Sequence, residues 1–344
     1  MKITTVGIDL AKHVFQVHGV DEQGNTVLRK QLKRDQLSVF MATLPPCRVG
    51  MEACGGAHHW ARKFEGFGHT VRLMSPQFVK PYVKSNKNDA ADAEAICEAV
   101  SRPNMRFVPI KSVEQQAVLS LHRVRQGFVA ARTAQANQIR GLLAEFGLVL
   151  PTGLCALRKQ LLVLLDGVGD QVPEVFLRLV RRLHEHLVEL DRQVGELEVQ
   201  IRQWHRSCTQ SQRLEKIPGV GPLTATALVT SIADARSFKN GRQLAAWLGL
   251  VPRQHSSGGK PTLLGISKRG DVYLRTLLIH GARAALSAAK RHAKSNPWLG
   301  KLLERRNPNV AAVALANKNA RTVWALLAHD REFQVDYTPT LTTV

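Results

Sequence analysis

Over residues 1–74, apolar and polar side chains repeatedly change places every second residue. Segments 3–8, 13–20 and 26–32 each alternate in this way, as a strand does when one face meets a core. Asp21-Glu22-Gln23-Gly24-Asn25 supplies the turn between the last two. The pattern then predicts a helix over 35–44, a strand at 48–51, a helix over 57–67 and a short strand at 69–74, ended by Ser75-Pro76. Residues 89–100 are Ala-rich and helical. Three antiparallel strands followed by alternating helix and strand fit an α/β domain of the ribonuclease-H type, where the pattern itself supports α/β and the specific fold comes from the motifs below.

Helical periodicity continues over 112–147 and pauses at Pro151-Thr152-Gly153. A long helix with heptad spacing begins after Pro173. Val180, Leu187, Val194 and Ile201 fill one register, and Phe176, Leu183, Leu190, Leu197 and Trp204 fill the other. β-Branched residues at the first and Leu at the second favour a two-stranded coil, and a helix packed inside its own chain is the alternative. The chain therefore divides into an α/β domain with a trailing helix (1–150), a coiled-coil linker (151–210) and a mainly helical part (211–344).

Charge changes this picture. The 344 residues carry 48 Lys and Arg against 27 Asp and Glu, a net charge of +21. Such an excess calls for a polyanionic partner, of which nucleic acid is the commonest. Residues 201–344 hold 22 basic and 7 acidic side chains, whereas 151–200 hold 6 and 8. No secretory signal precedes the first strand, and no apolar run reaches the roughly 18 residues that span a bilayer. The five cysteines lie far apart without a CxxC pair, as free thiols of a reducing compartment do. The expected location is the cytoplasm.

In so basic a chain, the acids at strand ends stand out. Asp9 ends the first strand, Glu52 follows the strand at 48–51, and Asp89 and Asp92 share a helical face because they are three residues apart. Four converging carboxylates would repel one another unless cations neutralised them. Hard oxygen donors of this kind suit Mg²⁺, with Mn²⁺ as a substitute, and two such ions can act on a phosphodiester. Each acid also has a structural reading. Asp89 in particular can cap its helix, with Asn88 as its rival.

The third section carries Ile217-Pro218-Gly219-Val220-Gly221-Pro222, which reads as a helix-hairpin-helix element. Gly219 and Gly221 permit a tight turn, and amides at the next helix start can receive a backbone phosphate. Further on, His255-Ser256-Ser257-Gly258-Gly259-Lys260 reads as a loop. Lys260, Lys268, Arg269 and Arg275 around it can neutralise phosphates.

Gly7-Ile8-Asp9-Leu10-Ala11-Lys12, Met51-Glu52-Ala53-Cys54-Gly55 and Lys87-Asn88-Asp89-Ala90-Ala91-Asp92-Ala93 together resemble the three acidic motifs of the DEDD transposases. These form the IS one-ten insertion-sequence family, with its IS eleven-eleven branch. The resemblance runs through nearly the whole chain. It implies an N-terminal domain like the Holliday-junction resolvase RuvC, with Asp9, Glu52, Asp89 and Asp92 as metal ligands and catalytic residues. It implies a C-terminal transposase domain whose nucleophilic serine precedes a glycine, here Ser257, with Ser256 as the alternative. It further implies double-stranded donor and target DNA, a structured guide RNA, and a dimer or tetramer that brings the acidic domain of one subunit to the serine domain of another. A resolvase-type nuclease would need the four acids but not Ser257. A non-catalytic nucleic-acid-binding protein would need neither.

Overall fold

The computed structural model describes residues 2–84, 88–256, 258–291 and 297–334. It falls into two units, residues 1–113 with 232–237, and residues 114–231 with 238–344.

The first unit is built on a six-stranded mixed sheet. Its strands are β1 (Thr5–Asp9), β2 (Val14–Val20), β3 (Thr26–Lys33), β4 (Arg48–Glu52), β5 (Thr70–Met74) and β6 (Phe107–Val108), in the order β3-β2-β1-β4-β5-β6. β1 pairs antiparallel with β2 and β2 with β3, as the hairpin pattern predicts. β4 runs parallel to both β1 and β5, because helices carry the chain back between them. α1 (Arg34–Thr43) and α2 (Ala57–Glu65) are the crossover helices, and the short α3 (Pro76–Val79) leads out of β5. Val6, Ile8, Val49 and Met51 are fully buried in one core with Leu37 and Met41 of α1 and with Trp60 and Phe64 of α2.

The odd members of these strands face the other way. There α4 (Asp89–Val100) lies against the sheet with almost no clearance. A Cβ placed on Gly7 would sit 2.3 Å from the Ala93 carbonyl oxygen and 2.4 Å from the Cys97 amide nitrogen. A Cβ on Gly50, the residue paired with Gly7 across the sheet, would sit 2.8 Å from Cβ of Val100. Two adjacent glycines thus leave a trough for a helix whose own contact residues are mostly Ala and Cys. A second apolar cluster of Met74, Val79, Ala95, Ile96, Ala99 and Val100 closes that face.

The second unit is helical apart from one hairpin. α5 (Val113–Ala144), α6 (Leu154–Gly167) and α7 (Glu174–Ser207) share a core of Ile139, Leu143, Leu157, Leu161, Leu165, Val180 and Leu187. Arg125 meets Glu198 and Arg132 meets Asp191, so α5 and α7 run antiparallel. Val180, Leu187, Val194 and Ile201, one whole register of the heptad pattern, are buried within this single chain. At this seam the heptad spacing serves packing inside the chain, the alternative reading of the sequence, with Val180 and Leu187 in the core shared with α5 and α6.

α8 (Thr209–Glu215) and α9 (Pro222–Ile232) follow, then α10 (Gly241–Trp247) and the two-stranded hairpin β7 (Pro252–Gln254) and β8 (Leu263–Ile266). α11 (Val272–Arg291), α12 (Pro297–Arg305) and α13 (Pro308–His329) complete the unit. His122 of α5 is 1% exposed, with Nδ1 3.0 Å from the Tyr273 hydroxyl and Nε2 3.0 Å from Oγ1 of Thr226. Burial, assisted by the nearby Arg125 charge, lowers its pKa to about 4.

Two stability measurements follow. Gly7→Ala should lower the melting temperature, with a cost of about 1–3 kcal/mol for overpacking against backbone that cannot swing away. Gly141→Ala in α5, where an added Cβ meets nothing, should raise it through helix propensity alone. For His122 the folded pKa lies below the unfolded value near 6.5, so the unfolded chain binds the extra proton. Its contribution is present above pH 6.5 and is lost as pH falls toward 4, by about 3 kcal/mol in all. Urea midpoints measured across that window should drop for the parent chain and drop less for His122→Gln.

Candidate functional site

The trough that seats α4 also sets the positions of the acids. Asp9 lies two residues beyond Gly7 on the same face of β1, a rise of about 7 Å. Asp89 lies four residues before Ala93 along α4, a rise of about 6 Å. The Cys97 thiol reaches the Thr5 carbonyl at 3.7 Å, so helix and strand run in opposite directions and the two displacements coincide. The carboxylate oxygens of Asp9, Asp89 and Asp92 accordingly lie within 4.8 Å of one another. Asp9 and Asp92 are half-buried and Asp89 is exposed.

Asn88, not Asp89, caps α4. Its side chain accepts a hydrogen bond from the Ala91 amide at 2.8 Å. That choice leaves both aspartates free of capping duty and turned to the site. Both sit in the first turn of the helix, where the positive end of its dipole favours carboxylates.

Glu52 takes the equivalent place on the next strand, two residues after Gly50 and one step beyond the Ile8–Met51 pair. It is half-buried and lies outside the tight group of three. Its field and that of Asp9 both reach Cys54, whose thiol pKa is pushed up by burial first, then by Glu52, then by Asp9. All four predicted acids thus occupy one end of one face of the sheet.

Three carboxylates this close cost about 3 kcal/mol per pair at an effective dielectric near 20. Among the described residues no Lys or Arg forms an ion pair with Asp89 or Asp92. An all-oxygen donor set at this spacing fits a hard divalent cation.

The predicted phosphate-binding residues separate into two kinds. Lys260, Lys268 and Arg269 are exposed around the β7–β8 hairpin. Arg275 is 8% exposed and turned inward, its guanidinium donating to the carbonyls of Leu248 at 3.1 Å and Arg269 at 3.0 Å. It holds the loop that carries Lys268 and Arg269. The same loop is pressed against residues 247–249, since a Cβ on Gly249 would fall 2.1 Å from the Arg269 carbonyl oxygen and one on Gly270 1.8 Å from that of Trp247.

Ser257 lies outside the described residues. Ser256, its alternative, has an engaged hydroxyl that accepts from Nε2 of Gln254 at 2.9 Å and from the Thr262 amide at 3.3 Å. Gly219 is left-handed (φ 87°) and packs on Gly281 of α11, whose carbonyl oxygen lies 2.6 Å from the Cβ position. Asn319 of α13 donates to the neighbouring Pro218 carbonyl at 2.9 Å. Gly221 stands in open space just before α9.

Gly7 and Gly50, which set the depth of α4, do not stand out in the hydrophobic pattern. A signal existed. Gly7-Ile8-Asp9 and Gly50-Met51-Glu52 repeat a small residue two places before an acid, on two strands that pair in register.

With this geometry in place, comparison with known proteins is decisive about kinship. Residues 211–296 match the model described as "Transposase IS116/IS110/IS902 family", and residues 6–147 match a DEDD transposase model of the IS110 type. The chain is 56% identical to a "Probable family 20 transposase" of Pseudomonas aeruginosa, over 96% of this chain and 98% of that protein. It is 48% identical to the "Transposase for insertion sequence element IS1111A" of Coxiella burnetii, over 96% and 92% of the two chains. Identity to the transposase for IS1328 of Yersinia enterocolitica is 44%, over 96% and 98%. Identity at this level over almost the whole length of both partners shows that the chain belongs to the IS110 family of insertion-sequence transposases, enzymes of DNA transposition.

Proposed function

We propose that Asp9, Asp89 and Asp92, with Glu52 beside them, hold Mg²⁺, and that the chain exchanges DNA phosphodiesters through Ser257. The observation that carries the metal reading is the approach of three carboxylate oxygens within 4.8 Å. When bound, two such ions stabilise charge on the attacking and leaving oxygens of a phosphodiester. Mn²⁺ offers the same coordination preferences and substitutes.

The chain's own part is exchange of one ester for another. The Ser257 hydroxyl gives up its proton and its Oγ forms a bond to phosphorus. The bond from phosphorus to a sugar oxygen breaks, and that oxygen takes up a proton. Attack by the sugar hydroxyl of a new strand reverses these changes and restores the serine. No hydrolysis occurs, so the energy of the phosphodiester passes to the product. The assignment of Ser257 rests on the serine before glycine that the family resemblance implies.

Lys260, Lys268 and Arg269 hold the phosphates near the hairpin, and Arg275 fixes their loop. The amides around Gly219 and Gly221 receive a further phosphate. The excess of positive charge supports donor and target DNA as partners. A structured guide RNA, a homo-oligomeric assembly and a site of action on the bacterial nucleoid rest on the resemblance.

Two measurements test this reading. Titration calorimetry with Mn²⁺ should show binding to the parent chain and at least tenfold weaker binding to Asp92→Asn and Asp9→Asn, since each removes one charged ligand. Detergent quenching of reactions with supercoiled donor DNA, flanking RNA and Mg²⁺ should trap a protein–DNA adduct that disappears in Ser257→Ala and in Asp9→Asn. Metal-dependent cutting without an adduct, unchanged in Ser257→Ala, would leave a resolvase-type nuclease instead.

A further inference from the structure

The sequence places most of the positive charge after residue 200, yet the first unit carries a concentrated group of its own. Lys12 and His13 occupy the turn that follows Asp9, and both are exposed. The Arg34 amide donates to the His13 carbonyl at 3.1 Å, and its guanidinium contacts the Lys12 carbonyl at 3.5 Å. From α2, which follows Glu52 by a short turn, His59 and Lys63 join them, whereas the Arg62 guanidinium is engaged by the Lys111 carbonyl.

Three features separate this group from an ordinary solvated face. First, its long side chains are anchored. The Arg34 guanidinium lies 5.4 Å from the Trp60 ring centre and 6.0 Å from that of Phe15, and the Lys63 ammonium lies 5.5 Å from the Trp60 ring. Trp60 is 4% exposed and packed edge-on against Phe15, so the cations rest on a fixed aromatic floor. Second, among the described residues no carboxylate forms an ion pair with Lys12, Arg34, Arg62 or Lys63, although the unit elsewhere pairs its cations, as in Arg29–Glu94 and Lys84–Glu98. Third, the field converges. His59 has its pKa lowered by burial and then by Lys63, Arg34 and Arg62 in turn. Like charges held together without acids are costly unless an anion settles among them.

Position supplies the identity of that anion. Lys12 and His13 follow Asp9 and Arg34 hydrogen-bonds to that turn, so the group begins at the sheet end that carries the carboxylates and extends over the face opposite α4. We infer that Lys12, Arg34, His59 and Lys63 form a phosphate track that holds the DNA strand running into the acidic site. Such a track engages backbone phosphates, which position a strand without reading its bases. It lets a strand cross a strongly acidic centre by supplying positive charge on one flank. This inference rests on the reading of Asp9, Asp89 and Asp92 as the place where a phosphodiester is handled.

The test is fluorescence anisotropy of a labelled DNA duplex with the full-length protein over a range of salt concentrations. Lys12→Gln/Lys63→Gln should weaken binding roughly tenfold near 0.1 M salt and flatten the slope of log K against log salt by about one unit per lost phosphate contact. Lys12→Gln/His13→Gln, which leaves the contacts on the Trp60 ring intact, should move the same way while circular dichroism remains that of the parent. Asp92→Asn should keep the parent's slope. Unchanged slope and affinity in both double variants would overturn the track even where metal-dependent cutting persists. An RNA duplex losing affinity in these variants while DNA does not would overturn the choice of DNA. Absence of metal-dependent chemistry in the parent, with the slope change still present, would count against the metal reading and leave the track standing.

Discussion

The contact of α4 with Gly7 and Gly50 is the constraint on which the first unit depends. A helix normally rides about 10 Å above a sheet, on a layer of side chains. Here that layer is missing at two paired positions, and helix backbone meets strand backbone through a trough. The gain is precision of placement. Acids two residues along the strand and one turn back along the helix are brought together by backbone geometry, with no long side chain left to adjust. The cost of crowding carboxylates is offset in part by the helix dipole.

The elements of the first unit were legible because one-sided burial writes itself as alternation. β1 to β5, α1, α2 and α4 all sit within a residue or two of where the pattern places them. The convergence of the acids was legible only in part. Spacing put Asp89 and Asp92 on one helical face, but nothing in periodicity says how far that face stands from β1. That distance is set by the absence of side chains at Gly7 and Gly50, and absence leaves a weak mark in a hydrophobic pattern. The choice of Asn88 over Asp89 as the cap was similarly open, since both residue types serve well. The heptads of α7 illustrate the opposite limit. Their register was visible, but a seam of Val, Leu and Ile packs equally well on a neighbour in the same chain, and only the position of α5 decides. Arg275 looked like a phosphate ligand because charge alone does not tell inward from outward.

The two units use charge in different ways. In the second, cations are presented on a hairpin whose supporting loop is locked by Gly249, Gly270 and the buried Arg275. In the first, they are laid on the Trp60 ring beside a centre of opposite sign. The ring contacts restrict the side chains of Arg34 and Lys63, whereas at the hairpin the backbone is held and the side chains of Lys260, Lys268 and Arg269 stand exposed.

The cap of α4 carries a consequence of its own. Asp89 and Asp92 belong to the first turn, whereas the contacts with Gly7 and Gly50 fall at Ala93, Cys97 and Val100. Opening that first turn would disperse two carboxylates while the rest of the helix stayed docked. A cap of this kind contributes only about 1 kcal/mol. The two aspartates thus sit on the part of the helix that the glycine contacts do not hold, and a cation bound there would favour the closed turn.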